Sequence, residues 1–312
     1  MTGTSTVPES PWQPRSSCGP GCQAGGQRAA GPLRQAIRLV ALLGALLGGV
    51  CLLPVLLAST SGGRQVAGRW WARLVLRSLG IGLTVGGVRL PRRRALLVAN
   101  HISWLDVIAI MAVAPTRMVA KSEVRRWPVL GVLAAAAGTI FVDRSRPRAL
   151  PGVVAEIAAA VRAGAVVTAF PEGTTWCGVP VRSRCAGVGR FRPAVFQAAA
   201  DAGAVVVPLT LTYRTTGAIT AAPAFLGDDT LWASLRRVLA LRRLVVSVTA
   251  APVLHLERGA DRRTVARMAQ SSVGRGRPTI SRPTPVTPSV AGGHTPAVPV
   301  LVPTSAGERL AA

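Results

Sequence analysis

Asn100-His101-Ile102-Ser103-Trp104-Leu105-Asp106 is the stretch that decides how this sequence folds. It follows the apolar run Ala95-Leu96-Leu97-Val98-Ala99, which reads as a buried strand, and precedes residues 107–114, whose continuous apolar character reads as a helix body. A histidine therefore stands at a strand-to-helix corner, where open α/β sheets bind ligands. His101 and Asp106 would lie about 140° out of phase on one continuous helix, so the pair converges only if His101 precedes the helix. Ser103 is a good N-cap, and Asp106 falls in the first turn, where its carboxylate folds back toward the loop. Placed so, the carboxylate holds the imidazole in one tautomer and stabilises its cation, leaving the other nitrogen to take a proton from a substrate hydroxyl. Taken singly, each residue has a plainer explanation: Asp106 as the capping partner of Ser103, and His101 as a loop histidine bonded to backbone.

Outward from this corner, strands and helices alternate. Residues 83–90 read as a strand before it. Arg117 to Lys121, Thr139 to Val142, Ala165 to Phe170, Val205 to Tyr213 and Leu244 to Ala250 read as strands after it, with helices over 147–163, 193–202 and 228–239. The rhythm predicts an α/β fold: a single domain over 81–270, with a largely parallel sheet flanked by helices. Residues 1–30 are rich in Gly, Ser, Pro and Gln and predict a disordered leader, and 271–312, dominated by Pro, Thr, Gly and Val, predict a disordered tail.

Between leader and domain, residues 36–80 predict a membrane anchor followed by an interfacial helix. Leu39 to Ala58 is a run of 20 residues without a charge, spanning about 30 Å as a helix, the thickness of a bilayer core. Pro54 and the Gly44, Gly48, Gly49 cluster weaken a straight helix, which leaves a membrane helix or a bent, re-entrant segment as the two readings. Residues 69–79 alternate arginines with Trp70, Trp71, Leu74, Val75 and Leu79 at helical spacing, which reads as an amphipathic helix at the headgroup level or one packed on the core.

The formal net charge is +25, from 37 Lys+Arg against 12 Asp+Glu, and Lys121 is the one lysine. Such a balance favours an anionic partner, membrane phospholipid or nucleic acid. No nucleic-acid partner is expected, because the arginines are spread along the chain without a recognisable binding module. The five cysteines lack a C-x-x-C pair and predict reduced thiols; Cys18 and Cys22 read as unstructured bystanders with no metal site, a metal-binding pair being the alternative.

Four ordered blocks resemble the membrane-bound glycerolipid acyltransferases typified by 1-acylglycerol-3-phosphate acyltransferase. Asn100-His101 with Asp106 is the first. Lys121, Glu123, Pro128, Gly131 and Gly138 with Phe141-Val142-Asp143-Arg144 form the second. Phe170-Pro171-Glu172-Gly173-Thr174 is the third, and Val207-Pro208-Leu209 the fourth. The resemblance covers roughly residues 70–256. It implies transfer of a fatty acyl chain from acyl-CoA or acyl-carrier protein to the free hydroxyl of a lysolipid, without a cofactor, at a cell membrane with the catalytic domain facing the cytoplasm. His101 and Asp106 would be catalytic. Asn100, Lys121, Arg144, Glu172, Gly173, Thr174, Thr175, Arg190 and Arg192 would bind substrate, with Glu172 alternatively a structural carboxylate.

One departure bears on the acceptor. Thr175 stands where the family usually carries arginine or serine, and an arginine there would be a natural phosphate fork. Arg182, Arg184, Arg190 or Arg192 are candidates to replace it. The resemblance therefore implies 1-acylglycerol-3-phosphate as leading acceptor, giving phosphatidic acid, and lyso-ornithine lipid as the alternative. A reading from another class is a membrane-tethered, arginine-rich binding protein without catalysis.

Overall fold

The central strand of this fold, β2 (Ala95–Ala99), is buried along its whole length, as a strand covered on both faces must be. The structure, a computed structural model, describes residues 14–23, 29–179, 185, 187–257 and 259–275. Arg182 and Arg184 lie outside the described residues.

Before β2 come α1 (Pro32–Cys51), α2 (Leu53–Ala58), α3 (Ser61–Ser78) and β1 (Gly82–Gly87). After it come α4 (Leu105–Val113), β3 (Arg117–Lys121), α5 (Leu130–Ala136), β4 (Ile140–Val142), α6 (Leu150–Arg162) and β5 (Val166–Ala169). The remaining elements are α7 (Ala194–Ala202), β6 (Val205–Thr215), β7 (Ala218–Ile219), α8 (Leu231–Ala240), β8 (Leu244–Ala250) and α9 (Arg262–Arg275). The strands form one sheet in the order β1-β8-β6-β2-β5-β3-β4, with β7 paired to β6. Pairing is parallel except where β6 meets β7 and β8. The expected α/β fold with a largely parallel sheet is what the chain forms.

Alternation along β2 divides the core in two. Ala95, Leu97 and Ala99 face a layer built with Leu76 of α3, Ala109 and Ile110 of α4 and Val238 of α8. Leu96 and Val98 face Ile157 and Val161 of α6, Phe196 of α7 and Ala269 of α9. This second layer corrects the tail boundary, since α9 runs to Arg275 and buries Val265, Ala269 and Val273.

At the N-terminal end, α1 starts at Pro32 rather than Leu39, because proline suits the first helical turn. The apolar run breaks at Leu52, two residues before Pro54, whose ring clashes with the carbonyl four residues back. With 20 residues and a mean hydropathy of 1.5, α1 is long and apolar enough to cross a membrane. One face is docked. Leu42 and Ala45 are buried, the Trp71 indole donates to the Ala45 carbonyl at 2.9 Å, and Arg38 donates to the carbonyls of Leu239 and Leu241 at 2.8 and 2.7 Å. The opposite face leaves Leu33, Ile37, Val40, Leu43 and Leu47 exposed.

Helix α3 packs one face on the core and leaves apolar residues on the other exposed. Ala72, Val75 and Leu76 pack inward, and Val66, Trp70 and Leu74 remain exposed. A further correction concerns the leader, because residues 14–23 are not a free strand of chain. Cys18 is buried and the Gln23 amide donates to the Ala224 carbonyl at 2.7 Å.

Candidate active site

The C-terminal ends of four adjacent parallel strands deliver the site's polar residues, as the α/β arrangement requires. β2 leads into His101, β5 into Phe170 and Glu172, β3 ends on Lys121, and β4 runs into Arg144.

His101 Nδ1 lies 2.8 Å from Asp106 Oδ2, with the imidazole side chain 21% exposed and the carboxylate fully buried. The same Oδ2 accepts the backbone N–H groups of Ile102 at 2.6 Å and Ser103 at 2.9 Å. Asp106 thus folds back on the loop as expected, but Ser103 is not the residue before the helix. Trp104 holds that position, and the Ser103 hydroxyl lies 3.4 Å from the Leu105 N–H. The second carboxylate oxygen, Oδ1, accepts the Tyr213 hydroxyl at 2.5 Å. Burial first, and then the charge and hydrogen bond of Asp106, push the Tyr213 phenol well above its ordinary pKa. Tyr213 was not among the expected site residues. Its available signal was that it is the one tyrosine in the chain, placed inside an apolar strand.

The imidazole stacks on Phe170, with ring centroids 4.0 Å apart and planes 13° from parallel. Its position is fixed by one ring face and one nitrogen, Nδ1.

Glu172 connects this pair to the turn that holds Gly173. Buried, it accepts the His101 N–H on Oε2 at 2.6 Å and the Gly189 N–H on Oε1 at 3.0 Å. The next residue, Gly173, sits at φ 74°, a left-handed conformation suited to glycine, and its carbonyl accepts from the Arg144 guanidinium. Arg192 approaches the same glycine, its Cδ 3.7 Å from where a Cβ would stand. Burial lowers the Arg144 pKa; Glu123 opposes it, and the repulsion of Arg192 adds a smaller lowering. Lys121 is lowered first by desolvation and then by Arg144, again with Glu123 opposing. Arg144, tied to the Gly173 carbonyl, is therefore close enough to feel both Lys121 and Arg192.

The other expected residues divide. Asn100 is buried, and both ends of its amide are engaged by the Leu211 backbone, Nδ2 to the carbonyl at 3.1 Å and Oδ1 from the N–H at 2.8 Å. That places it as a bracket between β2 and β6. The Thr175 hydroxyl donates to the Phe225 carbonyl, and Thr174 is half-buried on the same turn. Arg190 is exposed on the loop entering α7. The Trp176 N–H donates to the His101 carbonyl at 2.8 Å, so the chain after the turn crosses directly over the histidine loop.

A parallel-sheet core presenting a half-buried histidine on a buried aspartate beside a cationic turn defines an α/β enzyme. A family model described as Acyltransferase matches residues 83–212. A lyso-ornithine lipid O-acyltransferase of Pseudomonas aeruginosa is 35% identical over 210 residues, covering 67% of this chain and 78% of the relative. A 1-acyl-sn-glycerol-3-phosphate acyltransferase of Neisseria meningitidis is 35% identical over 203 residues, covering 64% and 76%. A crystal structure of the 1-acyl-sn-glycerophosphate acyltransferase of Thermotoga maritima aligns with a TM-score of 0.47 at 18% identity, over 77% of this chain and 96% of that one. The chain belongs to the glycerolipid acyltransferase family typified by 1-acylglycerol-3-phosphate acyltransferase, and it is an O-acyltransferase.

Proposed function

We propose that this enzyme moves a fatty acyl chain from the thioester of acyl-CoA or acyl-carrier protein to the free hydroxyl of 1-acylglycerol-3-phosphate, giving phosphatidic acid. His101 Nε2 takes the hydroxyl proton, and the alkoxide attacks the thioester carbonyl. The carrier thiolate then leaves and receives that proton from the imidazolium. Asp106 holds Nδ1–H and stabilises the imidazolium. Its remaining bonds, to Tyr213 and two backbone N–H groups, hold the carboxylate in that orientation.

The observation that carries the acceptor is that Arg144 and Arg192 stand at the Gly173 turn, with Lys121 beside Arg144, one residue from the glutamate that touches the His101 backbone. Mutually repelling cations are relieved by a phosphate dianion. The second reading, lyso-ornithine lipid, is favoured by Thr175, whose hydroxyl is engaged by Phe225 and supplies no phosphate fork. The exposed apolar faces of α1 and α3 suit a lipid environment, and the proposed location is the cell membrane with the catalytic domain on its cytoplasmic side.

The test is incubation of enzyme-containing membranes with labelled acyl-CoA or acyl-carrier protein and a panel of lysolipids, read by lipid mass spectrometry. Phosphatidic acid is the expected product. Acylation of lyso-ornithine lipid alone selects the second reading, and release of free fatty acid without any diacylated lipid overturns both.

A further inference from the structure

Four of the five cysteines converge at one point, although the sequence separates them widely. Cys18 precedes the short turn Pro20–Cys22 and Cys22 ends it, whereas Cys177 and Cys185 come from the loop that continues the Glu172-Gly173-Thr174 turn. Their sulfur atoms all lie within 4.8 Å of one another. Cys18 Sγ is 2.7 Å and Cys177 Sγ 3.5 Å from Cys185 Sγ.

Both separations exceed a disulfide bond of about 2.05 Å. Four thiolates around a tetrahedral ion, with metal–sulfur bonds of about 2.3 Å, stand about 3.8 Å apart. The cluster is that compact. Two backbone donors already point at sulfur, Cys177 N–H to Cys18 Sγ at 3.3 Å and Gly187 N–H to Cys185 Sγ at 3.2 Å. Such donors stabilise thiolate and orient metal ligands. Cys18 and Cys22 are also spaced within the usual range for a pair of zinc ligands on one turn. Spacing alone cannot find this site, because its second pair is distant in the chain and longer in separation.

We propose that Cys18, Cys22, Cys177 and Cys185 bind one zinc ion as four thiolates. Binding releases four thiol protons to solvent and leaves a closed site carrying two negative charges, in a chain of net charge +25. With every coordination position taken by sulfur, the ion is structural. It fastens residues 14–23 to the loop over the active site, where Pro14 Cγ lies 2.6 Å from the position of a Cβ on Gly173. From the same loop, Gly178 at φ 75° packs on Ile102, next to His101. The metal therefore fixes the wall of the acceptor side of the catalytic centre, a consequence that rests on the proposed function. Metal content does not rest on it.

The full chain, purified in detergent without metal-affinity resin, is expected to hold about one zinc per chain by elemental analysis. The paired substitution Cys18→Ser with Cys22→Ser should lower this at least tenfold, and Cys51→Ser, at an exposed cysteine of α1, should leave it unchanged. X-ray absorption on the unsubstituted protein should show four sulfur neighbours at about 2.3 Å. That measurement decides the question if the paired variant fails to fold. Zinc retained in the paired variant, nitrogen or oxygen neighbours at the zinc, a Cys18–Cys185 disulfide without metal, or iron in place of zinc would each overturn the assignment.

Discussion

Tyr213 donates its hydroxyl to Asp106 Oδ1 at 2.5 Å, with both side chains closed to solvent. The phenol comes from β6 and the carboxylate from α4, so the bond ties the sheet to the helix that carries the catalytic loop. Because the folded phenol's pKa is raised above its ordinary value of 10.0, the unfolded chain loses this proton first as pH climbs. Stability is fully held below pH about 10 and falls above it, by about 1.4 kcal/mol per pH unit until the folded phenol ionises. Tyr213→Phe should flatten this alkaline loss in denaturant melts. It should also lower kcat about 3- to 10-fold with KM little changed, since Asp106 keeps its other donors. An alkaline profile identical to that of the parent protein would refute the assignment.

Asp106 should matter far more to rate than its phenol partner does. Asp106→Asn replaces a carboxylate that accepts from His101, Ile102 and Ser103 on one oxygen. The neutral amide neither stabilises an imidazolium nor fixes the useful tautomer. Acyl transfer should fall about 10²- to 10⁴-fold, and His101→Ala should fall by a similar factor. Combining the two should cost little beyond either alone if they act as a unit. Full transfer by either single variant would exclude the general-base mechanism.

Glu172 acts on the fold before it acts on any substrate. Its two oxygens satisfy the N–H groups of His101 and Gly189, and alanine would leave both donors without this acceptor in a buried place. Each such loss costs about 1–3 kcal/mol, enough to lower the thermal midpoint by several degrees. Glu172→Gln keeps one acceptor and should fall between alanine and the parent. Scanning calorimetry orders the three proteins, and equal midpoints would show that the carboxylate is not structural.

How much of this was legible in the sequence depends on how local each interaction is. The strand before His101 and the fold-back of Asp106 are carried by neighbours within a few residues, and both were readable. The bracket that Asn100 makes with the Leu211 backbone was not readable, because Leu211 lies on a strand over a hundred residues away. Tyr213 escaped notice for the same reason, and so did the contact of Cys18 with Cys177 and Cys185. The leader looked disordered because Gly, Ser and Pro carry no periodicity. What holds residues 14–23 is tertiary contact rather than local propensity. The break at Leu52, in contrast, was announced by Pro54.

The cations beside Gly173 yield the prediction that separates headgroup binding from chemistry. Lys121 and Arg192 are exposed at the rim, and Arg144 is half-buried and tied to the Gly173 carbonyl. Lys121→Ala and Arg192→Ala each remove a rim charge that Arg144 feels, and should act on the acceptor. Each should raise KM for 1-acylglycerol-3-phosphate about 3- to 10-fold with kcat within twofold, since the lost attraction is equal in ground and transition states. Added salt should weaken acceptor binding in the parent and less so in the variants, because screening acts on the charges that were removed. An uncharged lysolipid offered as acceptor should show no such difference. If kcat fell with KM unchanged, the cations would belong to the reacting centre and not to the headgroup pocket.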